Sequence, residues 1–162
     1  TAFTVANTTG NTAIAGTLGV TGALTANSNF LQYNYGGLYK NTAQTINAGA
    51  DARVTFQVAY TNGTLDNVAS SKLTIVHAGL YVVSAGVIGN NVFTWRVVTG
   101  GNYDTGQVMN GQVLADMRAY VTKQTYLAAG TDLELWVRNT GGSNLAVTTG
   151  ANGTLLTAVK VG

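Results

Sequence analysis

A chain of 162 residues, with 9% of them charged and a net charge of +2, fits one domain with a short appendage. Soluble chains usually carry about 25% charged residues, so this surface is neutral, hydrogen-bonding and suited to packing against copies of itself. Eight Lys/Arg against six Asp/Glu are too sparse for a phosphate-binding patch, and zero cysteines exclude disulfides, thiolate metal sites and cysteine nucleophiles. Proline is absent as well, so turns fall to Gly, Asn and Asp, at Asn62-Gly63, Asn110-Gly111 and Asn152-Gly153. No run of eighteen apolar residues occurs, and no charged-then-apolar leader opens the chain. Thr1 in place of Met reads as the start of a trimmed chain or of a C-terminal piece.

The first pattern in chain order is a six-residue repeat, with glycines at Gly10, Gly16 and Gly22. Ile14 and Val20 share one register of it, Leu18 and Leu24 another. A segment this thin has no second face to close a core and must borrow apolar partners from copies of itself. Residues 1–29 are therefore expected to form a β shaft. Three chains would bury Ile14, Leu18, Val20 and Leu24 along a common axis, each worth roughly 1.5–3 kcal/mol.

From residue 30 onward the texture becomes strands separated by turn residues. Arg53–Tyr60 alternates most clearly, with Val54, Phe56, Val58 and Tyr60 on one face. Leu73 and Ile75 face inward from the next strand, and Leu80–Ile88 is apolar on both faces, which suits a central strand covered on two sides. Phe93, Trp95 and Val97 alternate with Thr94, Arg96 and Val98, Leu133, Leu135 and Val137 alternate with Glu134, Trp136 and Arg138, and a last strand runs over 154–161. The stretch from Gly111 to Tyr120 is the best helical candidate, yet its β-branched and aromatic downstream half reads better as strand. Eight or more regularly spaced strands without a helix predict an all-β jelly-roll sandwich over residues 30–162.

The order of motifs carries a resemblance. Lys72-Leu-Thr-Ile-Val-His-Ala-Gly-Leu-Tyr-Val-Val83 is followed by Trp95-Arg96, Ala129-Gly-Thr-Asp-Leu-Glu-Leu-Trp-Val137 and Gly153-Thr-Leu-Leu156. This series resembles the trimeric jelly-roll heads of the complement and tumour-necrosis-factor superfamily, with Ala78 where proline is usual and Leu155 in place of an aromatic. The glycine repeat is similar to shaft repeats of phage fibres. The resemblance implies a homotrimeric, TNF-like head on a fibre: a capsid decoration protein or head or tail fibre on a virion surface, displaying its head for host adsorption. A bacterial spore-surface or cell-surface filament head of the same fold is the alternative, and a lectin or glycan-active enzyme a third reading.

The candidate residues follow from that picture. Tyr120, Tyr126 and Trp136 are candidates for the interface between heads, with an exposed ligand platform as the other reading of Trp136. Tyr33, Tyr35 and Tyr39 read as the junction between shaft and head, with stacking on sugars as the other reading. Tyr103 and Asp104, in the glycine-rich loop 100–106, are candidates for receptor contact, against the plainer reading of a solvated turn. His77 is the single histidine, and the aspartates are dispersed, so no catalytic residue, metal site or cofactor is expected. The expected partners are two further copies of the chain, a capsid or tail protein on the N-terminal side, and a host-surface glycan or protein. Nucleic acid binding and membrane insertion are not expected.

Overall fold

The computed structural model describes residues 34–60, 64–113, 118–149 and 153–162. The proposed shaft residues Ile14, Leu18, Val20 and Leu24 lie outside them, as do Asn62, Gly63 and Asn152. The described residues form two β-sheets packed face to face. One sheet takes β1 (Tyr35–Tyr39), β4 (Val58–Ala59), β7 (Gly79–Ile88), β10 (Arg118–Leu127) and β13 (Leu155–Lys160) in the order β10-β7-β13-β1-β4. The other takes β5 (Asp66–Asn67), β6 (Lys72–Thr74), β8 (Phe93–Val98), β9 (Gln107–Val113) and β11 (Asp132–Asn139) in the order β5-β6-β11-β8-β9. β3 (Asp51–Arg53) adds to β11, while β2 (Gln44–Ile46) and β12 (Leu145–Val147) form a small ribbon of their own. The long pairings are antiparallel: β7 matches β10 over ten residues and β13 over six.

The core lies between the sheets and is filled by the alternate residues that the period of two selects. Tyr81, Val83, Ala85 and Val87 enter it from β7; Leu133, Leu135 and Val137 enter from β11. Phe93, Trp95 and Val97 do so from β8 as expected, and Val98 is buried too because the β8–β9 register shifts between Val97 and Val98. Residues on each side of 114–117 are strand, so the helical candidate gives way to the strand reading.

Two expectations change. Arg53–Tyr60 is not one strand: β3 ends at Arg53 in one sheet, and β4 begins at Val58 in the other. Val54 and Phe56 still point inward because residues 54–57 cross the sandwich edge, where Val54 N donates to Leu135 O and Phe56 N to Ser71 Oγ. Tyr60 ends on the outside. Asn110-Gly111 is no turn but lies inside β9. A Cβ on Gly111 would come within 2.6 Å of the buried Trp95 indole, so glycine there serves close approach. Tyr35 and Tyr39 are the two ends of β1, which sits between β13 and β4, and Tyr33 lies outside the described residues.

Other parts of the motif series hold. Gly79 opens β7, where the Leu80 amide is tied to Gly162 O at 2.7 Å. Gly130 carries φ 80° in the turn between β10 and β11, a left-handed conformation that glycine adopts at least cost.

Candidate functional site

The outward face of the five-stranded sheet is the most distinctive surface of the molecule. The registers put Tyr120, Thr122, Gln124 and Tyr126 of β10 beside Gly86, Ser84, Val82 and Leu80 of β7. Continuing across, Leu155, Thr157 and Val159 of β13 lie beside Tyr39, Gly37 and Tyr35 of β1. From Tyr120 to Tyr126 on β10, and across the other four strands, this face presents no charged residue.

Tyr126 is 68% exposed and Val159 42%, and Tyr60 and Tyr120 are also exposed. The Tyr39 and Tyr60 rings meet edge to face, with centroids 5.4 Å apart. The Tyr120 ring covers Gly86 and its hydroxyl donates to Gly153 O at 2.8 Å, which fixes the ring flat on the sheet. Ser84 and Thr122 exchange a hydroxyl hydrogen bond of 2.9 Å across β7 and β10. The second face of β7 is thus apolar, as its sequence implies, and half-buried in the single chain.

Trp136 does not join this face. It points outward from β11 on the opposite sheet, beside Arg53 and Arg96 in register, and its indole N–H donates to Glu134 Oε2 at 2.8 Å. Glu134 also accepts from Arg53 at 2.9 Å and is buried. The structure brings Tyr120 and Tyr126 together and leaves Trp136 in a satisfied polar cluster, half-buried.

The loop at 99–106 folds down over that same outer surface. Tyr103, expected to be exposed for receptor contact, is only 3% exposed. The Arg96 and Arg138 guanidiniums lie 4.4 and 4.1 Å from its ring centroid, and its hydroxyl pairs with Thr94 Oγ1. The expectation for Tyr103 fails because two strand arginines and an aromatic ring cover one another. Asp104 stays exposed but is held by both arginines, at 3.0 Å from Arg96 and 2.8 Å from Arg138, while Arg138 also grips Asp51 with two bonds of 2.6 and 2.7 Å. Its carboxylate latches the loop and is already engaged.

The hydrogen bond from Arg138 is the largest reason that the Asp104 carboxyl lies below its ordinary 3.8. Burial pushes the Asp132 carboxyl up, but hydrogen bonds from Lys72 and Thr74 and the charge of Lys72 outweigh it and hold it below 3.8 as well. Such groups stabilise the fold above the unfolded value, and that stability is lost as pH falls through the lower folded value. Asp132→Asn should therefore lower the urea midpoint at pH 7 and flatten its decline between about pH 4 and pH 2. An unchanged slope would assign the acid sensitivity to other groups.

Among the described residues no group of three His, Cys, Asp or Glu is placed to hold a metal ion. His77 contributes its backbone carbonyl to the Tyr81 hydroxyl at 2.7 Å.

Two packed antiparallel sheets with these strand orders define a class of fold, the TNF-like jelly roll. The chain is similar to the Eiger TNF from S. frugiperda, with 15% identity over 82% of this chain and 94% of that one, at a TM-score of 0.55. It is also similar to murine APRIL at pH 5.0 (14% identity, 80% and 99% of the two chains, TM-score 0.59) and at pH 8.0 (13%, 80% and 99%, TM-score 0.60). No family model and no curated protein matches the sequence. At these identities the likeness establishes the fold.

Proposed function

We propose that the chain is a non-catalytic structural protein whose heads associate as a homotrimer through the tyrosine-bearing face of the five-stranded sheet. The observation that carries this reading is that face itself. It spans five strands, exposes Tyr60, Tyr120, Tyr126 and Val159, and from Tyr120 onward contains no charge that association would have to desolvate. A 9% charged chain that leaves such a face bare has a sheet waiting for a cover, and closed three-fold symmetry supplies one from identical copies.

The six-residue repeat at 10–24 supports a shaft over residues 1–29 that would be held by the same three chains. Together, head and shaft read as a virion fibre or capsid decoration protein, anchored to a capsid or tail protein through its N-terminal side. Light scattering on the full chain at micromolar concentration tests the assembly. A mass of about 50 kDa, three times the 16.7 kDa chain, is expected, and a monomer would remove the basis of the reading. Gold-labelled antibody against the head should decorate virions of the source; label confined to cell or spore filaments would overturn the virion assignment.

A further inference from the structure

At the side of the sandwich where the two sheets part, the start of β9 and the end of β10 border an open cleft of about 370 Å³. Its wall holds Gln107, Lys123, Thr125, Tyr126 and Thr131, and no carboxylate. Lys123 is unlike Arg53, Lys72, Arg96 and Arg138, each of which is paired with an acid. Its ammonium donates to Val108 O at 2.8 Å, and no carboxylate among the described residues pairs with it. An ammonium has three N–H donors, so two remain.

The hydroxyls of Thr125 and Thr131 make no hydrogen bond to protein among the described residues. Gln107 uses its Nε2 on Asn110 Oδ1 at 3.0 Å, which leaves its Oε1 as an acceptor. Tyr126 borders the cleft but belongs to the outward face of the sheet, opposite Leu80.

This set has a definite chemistry. One free cation with no opposing acid favours a single negative charge. A phosphate dianion calls for more donors than one ammonium offers, whereas a carboxylate is matched by it. Two free hydroxyls and an amide oxygen suit a ligand with several hydroxyls of its own. The volume falls within the range of small-molecule sites, roughly 300–1,000 Å³.

We propose that this cleft binds a carboxylate-bearing sugar ring. Lys123 pairs with the carboxylate, and Thr125, Thr131 and Gln107 bond the ring hydroxyls. One chain supplies Lys123, Thr125, Thr131 and Gln107, and none of these four lies on the face proposed for association.

The test is an NMR titration of the isotope-labelled full chain, in its native assembly, with glucuronate, glucose and acetate in parallel. Glucuronate should shift the Lys123, Thr125 and Thr131 resonances saturably at millimolar concentration. Glucose and acetate should each bind about tenfold more weakly, since each lacks half of the recognised chemistry. Lys123→Met should reduce glucuronate binding to the level of glucose, and Lys123→Arg should restore it. Thr125→Val gives a second variant that leaves the Val108 contact in place, and it should weaken glucuronate while sparing acetate. Acetate binding as well as glucuronate would reduce the cleft to an anion site and overturn the proposal. Unaltered glucuronate affinity in Lys123→Met, or no shift at these residues, would overturn it too.

Discussion

Val159→Asp should convert a trimer of about 50 kDa into a folded 16.7 kDa monomer. Val159 sits near the middle of the tyrosine face, with Val82 on one side in register and Tyr35 on the other. In the single chain it is 42% exposed, so aspartate there keeps contact with water and the head should fold unchanged. In a trimer the same carboxylate would be pressed against apolar and aromatic groups in three copies. Taking one charge out of water without a partner costs several kcal/mol, and the symmetry repeats that penalty at every interface. Val159→Thr, close in size and uncharged, should remain trimeric. Light scattering reads the mass and far-ultraviolet dichroism the fold. A Val159→Asp protein that keeps the trimer mass and melting temperature would show that assembly runs through another surface. Because Val159 lies outside the cleft lined by Lys123, glucuronate binding should survive in the monomer, which separates the two proposals.

The two-sheet fold was legible because its long strands obey a period of two. Leu133, Leu135 and Val137 against Glu134, Trp136 and Arg138 give both the inward set and the outward set directly. Tyr120 and Tyr126 were legible as surface aromatics, since each stands opposite a half-buried or glycine position of a strand with two apolar faces. Periodicity fails where the partner strand changes. Residues 54–57 keep the inside–outside alternation of a strand while passing between sheets, and nothing in the spacing reports that crossing.

Loop 99–106 failed for a different reason. Gly100, Gly101 and Gly106 mark a turn, and turn residues say nothing about where the loop then lies. A usable signal was present in Arg96 and Arg138 at outward strand positions, with Tyr103 and Asp104 the complementary aromatic and acid. Asn110-Gly111 misled because the same dipeptide that makes a turn also gives a strand room for an indole. The cleft was invisible in the sequence: Gln107, Lys123 and Thr131 come from three stretches that only the packing of two sheets brings together.

Lys40 carries the second large expectation, that Lys40→Met makes the protein more stable at pH 7. Lys40 is 0% exposed, and among the described residues its ammonium faces only neutral oxygens: Thr55 O at 2.9 Å, Thr55 Oγ1 at 3.1 Å and Gln44 Oε1 at 3.2 Å. Burial without a carboxylate pushes its pKa below the ordinary 10.5. Removing the amine would leave none of these acceptors bare. Gln57 Nε2 also donates to Thr55 O and Oγ1, and Gln44 Oε1 also accepts from the Thr55 amide. Methionine has similar length and adds no charge to desolvate. Replacing a buried ion pair by well-packed apolar side chains of like volume is often neutral or stabilising by about 1–4 kcal/mol, and Lys40 lacks even the partner charge that offsets burial in such a pair.

The sign of the pH dependence is an independent check. Between the lowered folded value and 10.5 the unfolded chain binds the Lys40 proton and the folded chain does not, so the parent gains stability as pH rises through that window. Lys40→Met has no such gain, and its advantage should shrink toward pH 10.5. Tyr81, whose burial raises its pKa above 10.0, acts in the opposite direction in the same range but is common to both proteins and cancels in the difference. Urea midpoints at pH 7 and pH 10 measure that difference. A Lys40→Met protein less stable than the parent at pH 7, or an offset that does not change with pH, would mean that the three oxygens hold the ammonium more firmly than its burial costs.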